Sequence, residues 1–170
     1  IGGNLDGDIA HDLQARANGL SLHDRVRFLG PIDQINLPYY YSAADVCAMP
    51  SFYESFGMVA LEAMACGTPV VASRVGGLQF TVRDRETGFL VPAGDVHSLA
   101  EALHTVLSDD DLRRRMGQAA VSVAACYSWE RVTQSILHTY LEGDGHLKEH
   151  IREDYATIRQ HYADVSASRP

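Results

Sequence analysis

Short apolar runs alternate with longer amphipathic stretches along this chain, and that alternation predicts strands set between helices. Residues 46–49 form one such run, stopped by Pro50; residues 69–73 and 89–91 form two more. Solid apolar runs of this length fit strands of a parallel sheet buried on both faces. Residues 26–29, stopped by Gly30-Pro31, predict a further strand. Between the strands, residues 8–18 read as a helix ended by Gly19, and Asn36 reads as the N-cap of a helix running to residue 44, with Pro38 in its first turn. Residues 57–66 are good helix formers, and Gly67 with Pro69 is a helix stop. Asp95 caps a helix to about residue 107, with Leu99, Ala102, Leu103 and Val106 as its apolar stripe. Helices over 109–126 and 129–141 follow, then Gly143 and Gly145 interrupt the pattern before a polar helix over 147–162. The order predicts an α/β fold, a Rossmann-like doubly wound parallel sheet.

Composition sets the scale. With 170 residues, 46% of them hydrophobic, the chain is about one domain long and can bury one good core. The expected division is a domain over 1–142 and a helical extension over 143–170. No run of 18 apolar residues and no signal peptide is present, so a soluble protein of the cytoplasm is expected. The balance of 14 basic against 22 acidic residues argues against nucleic acid as a bulk partner. Cys47, Cys66 and Cys126 sit in apolar elements and read as packing thiols in a reducing compartment. The opening Ile1-Gly-Gly-Asn looks like the end of a strand begun earlier, so a fragment of a longer protein is expected.

Candidate chemistry lies between the strands at 46–49 and 69–73. The βαβ order points the helix N-terminus of 57–66 toward the carboxyl end of the sheet, where ligands bind in such folds. Glu54 precedes that helix and Glu62 lies within it. If the whole span were helical they would be about 12 Å apart, too far for an acid/base pair acting on one bond. That spacing suits the two ends of an extended ligand with negative charge in its middle, because the amides of residues 55–59 between the acids form a dipole-strengthened anion site. A nucleoside diphosphate joined to a sugar has this shape. Two solvated helix carboxylates are the plain alternative.

The wording of the stretch adds to its spacing. Ser51-Phe-Tyr-Glu54-Ser-Phe-Gly57-Met-Val-Ala-Leu-Glu62-Ala-Met-Ala-Cys-Gly67-Thr-Pro resembles the donor-site signature of retaining GT-B glycosyltransferases of family 4 (glycosyl transferases group 1), with its Glu-x7-Glu motif. Arg25-Val-Arg-Phe-Leu-Gly30-Pro-Ile, Tyr41-Ser-Ala-Ala-Asp45-Val, Val75-Gly-Gly77 and Glu86-Thr-Gly-Phe-Leu-Val-Pro92 extend the likeness over about residues 20–130. Mycothiol-pathway N-acetylglucosaminyltransferases and sucrose-phosphate-synthase-like enzymes look nearest within the family. The resemblance implies the C-terminal, donor-binding half of a GT-B enzyme that needs no metal. By it, Glu54 holds the sugar hydroxyls as the catalytic carboxylate, and Glu62 holds the ribose. Backbone amides of Phe56, Gly57, Met58 and Val59 meet the diphosphate or sugar, Ser55 lies in the same loop, and main chain around Ile32 reads the base. It further implies a UDP-sugar donor, an acceptor held by a separate N-terminal domain, and an Arg, a Lys and a His lying outside this chain. A non-catalytic nucleotide-sugar-binding or scaffolding module is the alternative; an epimerase of the same fold class fits the motif less well.

Other features are weighed beside this one. Gly76-Gly77 permits either a close approach to ligand or a simple turn, and Leu78-Gln79-Phe80 stands where the family usually has Pro-Glu, so no Glu role is carried there. Tyr39, Tyr40 and Tyr41 diverge around a helix, which favours packing over stacking on one base. Arg113-Arg-Arg115 reads as a solvated face. His146-x-x-Glu149-His150 matches a zinc-peptidase pattern without a third ligand, so an exposed helical face is preferred. The helix over 147–162 is expected either to cross back to the other domain or to mediate self-association.

Overall fold

The computed structural model describes residues 7–143. They fall into two compact units divided between Ala124 and Ala125. The histidine pattern at 146–150 and the helix expected over 147–162 lie outside the described residues.

The first unit carries α1 (Asp8–Gly19), a 3-10 turn (Gln34–Asn36), α2 (Leu37–Ala43), β1 (Cys47–Met49), α3 (Met58–Ala65), β2 (Val70–Ser73), α4 (Leu78–Thr81), β3 (Gly88–Val91), α5 (Val96–Ser108) and α6 (Asp110–Ala124). The strands form one parallel sheet in the order β1-β2-β3, with Cys47 opposite Val70 and Val70 opposite Gly88. Every residue of the central β2 is buried, as a solid apolar run between two neighbours requires. The core gathers Val71, Val91, Ala102, Val106 and Met116, so α5 and α6 close one side of the sheet. On α3, Ala60, Leu61, Ala63 and Met64 are buried. The helix reaches α6 closely because Gly117 lacks a side chain; a Cβ there would stand 2.3 Å from the Gly67 carbonyl oxygen. The second unit, by itself, holds a 3-10 turn (Ala125–Tyr127) and α7 (Trp129–Gly143).

Local signals behave as their chemistry dictates. Asp95 Oδ1 accepts from the Ser98 amide at 3.0 Å, capping α5, and Asp109 does the same for Leu112 at 2.9 Å. Gly67 adopts φ 80° just beyond α3, the left-handed geometry of a helix stop. Asn36 precedes α2 as expected, yet its side chain makes no capping bond, because a 3-10 turn leads the backbone into the helix.

Four expectations are corrected. Residues 26–29 form no strand: a strand exists only against a partner, and among the described residues none pairs with them. Strand β1 is not buried on both faces; Met49 is, but Ala48 is exposed, because β1 has one neighbour and lies at the edge of the described sheet. Cys126 is exposed in its 3-10 turn rather than packed in an apolar element. Arg113 is more than a solvated face: it pairs with Asp110 at 2.7 Å and Asp45 at 3.2 Å and donates to the Val106 carbonyl, tying the start of α6 to the residues before β1.

Candidate functional site

The chain leaves β1 at Met49, turns through residues 50–57 and enters α3 at Met58. Gly57 stands at the N-cap with φ 90°, a conformation that a side chain disfavours, and it lies buried against Leu78 and Thr81. Met58 and Val59 occupy the first turn, where backbone N–H groups have no intrahelical acceptor. Their side chains are 51% and 43% exposed, so this helix end is open to solvent. Ser55 is exposed and Phe56 partly so.

Glu54 lies in the loop and not on a helix, so the distance expected from helical spacing does not describe the pair. Its Oε1 accepts from the backbone N–H of Gly57 at 3.1 Å and of Phe56 at 3.3 Å. Two of the amides expected to face the ligand therefore already orient the carboxylate, with Met58 and Val59 continuing the row. Among the described residues only Oε1 is so engaged, which leaves Oε2 able to accept from a hydroxyl.

Backbone contacts hold this loop. The Gly77 N–H donates to the Glu54 carbonyl at 2.9 Å. A Cβ on Gly77 would sit 2.4 Å from Phe56 Cα, and one on Gly76, at φ 43°, would sit 1.8 Å from the Glu54 carbonyl oxygen. The glycine pair thus makes a close approach, but to the Glu54 loop itself. Behind it, Arg74 pairs with Asp84 at 2.7 Å, and Asp84 Oδ1 accepts from the Leu90 amide at 2.9 Å. Burial pushes the Asp84 carboxyl up, yet the Leu90 N–H and the Arg74 guanidinium together hold it below its ordinary value.

Glu62 lies half-buried on α3 and faces α2, where Tyr41 donates its hydroxyl to Glu62 Oε2 at 3.1 Å. Tyr41 is 3% exposed, and its carbonyl accepts from Thr68 Oγ1 at 2.6 Å. Tyr39 and Tyr40, on the same helix, are exposed instead of packed. They line a polar pocket of about 440 Å³ together with Ile32, Pro31, Asp33 and Asn36. Ile32, Tyr41 and Glu62 are thereby linked through α2, while Glu54 sits across the start of α3. A smaller, apolar pocket of about 220 Å³ lies at the carboxyl ends of β2 and β3, with Phe52, Val91 and Leu99 in its wall. Sequence reasoning missed the grip of Gly76-Gly77 on the loop and the bond from Tyr41 to Glu62. Both join residues some twenty positions apart, and no local signal marks them.

A parallel sheet with an open helix N-terminus beyond its carboxyl edge is a Rossmann-like domain, and the solved structures it resembles are GT-B glycosyltransferases. The chain belongs to the family Glycosyl transferases group 1, which matches residues 1–123. It is 48% identical over 124 residues to the D-inositol 3-phosphate glycosyltransferase of Corynebacterium glutamicum (strain R), covering 73% of this chain and 30% of that protein. Among solved structures it resembles sucrose-phosphate synthase (tll1590) from Thermosynechococcus elongatus, with TM-score 0.74, 46% identity and coverage of 81% of this chain and 35% of the other. Anabaena Alr3699/HepE, solved in complex with UDP-glucose, gives TM-score 0.71 and 31% identity over 83% of this chain and 39% of its own. The chain spans about a third of the length of these relatives. Its fold is that of their C-terminal half, as the sequence resemblance implied. Among the described residues no helix is long and apolar enough to cross a membrane.

Proposed function

We propose that this chain is the donor-binding domain of a retaining glycosyltransferase of family 4, which moves a hexosyl group from a nucleotide-diphospho-sugar to an acceptor held by a separate N-terminal domain. The observation that carries the proposal is the open N-terminus of α3 with two oriented carboxylates, Glu54 just before the helix fixed by two amides and Glu62 within it held by Tyr41. In this reading the diphosphate rests against the Met58 and Val59 amides, where the helix dipole favours negative charge. Glu62 accepts from the ribose, and Oε2 of Glu54 accepts from the sugar hydroxyls. Ile32 and its pocket take the base. Ser55, exposed beside them, edges the same cleft.

Mechanistically, negative charge grows on the diphosphate as the glycosidic bond breaks. Amides held in place before the reaction stabilise that charge without reorganising, which lowers the barrier. We assign this work to main chain and dipole and not to a metal ion. A UDP-sugar is the favoured donor, since a relative of the same fold is solved with UDP-glucose. The working compartment is proposed to be the cytoplasm, in keeping with Cys47 and Cys66 being free thiols.

Calorimetric titration of the chain with UDP, GDP and ADP and their sugars tests the proposal, and UDP compounds should bind most tightly. Glu62→Ala should weaken UDP binding by about 1–3 kcal/mol through loss of a charged hydrogen-bond acceptor. Unchanged affinity removes Glu62 from the site. The 170 residues alone should transfer no sugar, and measured turnover would contradict the need for a separate acceptor domain.

A further inference from the structure

A glutamate side chain is a poor fixed acceptor when left to itself, because its final torsion is broad and rotation exchanges the two oxygens. Glu62 is not left to itself. Tyr41 reaches it from α2 with a hydroxyl bond of 3.1 Å to Oε2, and Glu62 Oε1 accepts no hydrogen bond within the described residues. The tyrosine is in turn fixed: its ring is buried and its carbonyl is held by Thr68 Oγ1, itself on a buried residue. Burial, and then the bond to Glu62, push the phenol well above its usual titration range. The hydroxyl therefore keeps its proton and remains a donor at neutral pH.

We propose that Tyr41 is a positioning residue for ligand recognition: by occupying Oε2 it holds the Glu62 carboxylate in one rotation, with Oε1 presented to the vicinal hydroxyls of a nucleotide's ribose. This rests on the assignment of Glu62 to the ribose made above. Tyr41 touches no ligand itself. Its two neighbours face the other way and line the Ile32 pocket, so a single short helix shapes the base pocket with one side and aligns the ribose acceptor with the other. Preorganisation of this kind raises affinity by removing the ordering that binding otherwise requires.

The test compares UDP with 2′,3′-dideoxy-UDP, which lacks both hydroxyls, by titration of the full 170-residue chain. The unmodified chain should prefer UDP by roughly tenfold or more, as for hydrogen bonds to a charged group. In Tyr41→Phe the preference should shrink to about threefold or less, by weaker UDP binding, while dideoxy-UDP binds as before. A purely structural tyrosine predicts equal loss for both ligands. Tyr41→p-aminophenylalanine retains a donor at the same place and should keep the preference; if Tyr41→Phe is too unstable to titrate, this variant decides alone. A preference that survives in Tyr41→Phe, or disappears in the p-amino variant, overturns the proposal. Should the unmodified chain bind both ligands equally, the ribose assignment of Glu62 fails first, and the role of Tyr41 with it.

Discussion

Residues 7–40 and residues 41–124 have similar apolar content in their sequence patterns but very different fates. Helix α1 buries no residue, and Ile9, Leu13 and Leu20 are at least half exposed. Residues 26–29 extend without a partner strand among the described residues, with Val26 and Leu29 40% and 39% exposed. From Tyr41 onward a core forms: the central β2 is buried at every position, and Met64 and Leu78 are at 0% exposure. The difference lies in partners. Hydrophobic stabilisation comes from area removed from water, and an apolar run with nothing against it removes none. The proposed site straddles this divide. Its diphosphate end is built on the tightly packed region, and its base end, at Ile32, on the loosely packed one.

The sharpest way to break that comparison is a matched pair of truncations. Met64→Ala, in the packed region, should cost about 2–5 kcal/mol in urea unfolding, whereas Leu13→Ala on α1 should stay within about 0.5 kcal/mol. Equal costs would mean that α1 has a burial role the fold does not reveal. Next in size is Gly77→Ala. Gly77 has φ −65°, so backbone strain is not at issue; the new Cβ would collide with Phe56 Cα and the Ser55 carbonyl. We expect a loss of about 1–3 kcal/mol in stability and a larger proportional loss of nucleotide binding, because the Glu54 loop must move.

The pH response should be smaller and sit in the packed region. Because Asp84 is held below the ordinary aspartate value of about 3.9, its contribution is present above that pH and is lost as pH falls through its lower native value. Unfolding midpoints measured from pH 6 down to pH 2, a range of about four units, should therefore fall less steeply in Asp84→Asn than in the parent. An identical slope would leave Asp84 without a part in acid unfolding. Smallest of all, Tyr39→Ala should leave stability within about 0.5 kcal/mol, since its side chain is 75% exposed. A larger loss would show the base pocket to be tied into the core.

How much of this was legible in the sequence depended on how local each cause is. Helix stops at Gly19 and Gly67 and the cap at Asp95 were readable because donor and acceptor lie within a few residues. The parallel sheet was readable from the alternation of solid runs and helices. The strand expected at 26–29 was misjudged because pairing is a property of two segments, and its own residues carry half the information. The motif placed Glu54 just before one helix and Glu62 within it, but it did not reveal what turns each carboxylate. Glu54 is turned by the Phe56 and Gly57 amides, in a loop conformation that Gly76 and Gly77 hold from behind. Glu62 is turned by Tyr41, from a helix that the tyrosine run alone marked only as packed.

The most direct measurement is a crystal structure of this chain soaked with UDP. The diphosphate should lie within hydrogen-bond distance of the Met58 and Val59 amides, with a ribose hydroxyl on Glu62 and the uracil beside Ile32. A nucleotide seated instead in the apolar pocket walled by Phe52, Val91 and Leu99, or bound with Glu62 turned away, would contradict the account.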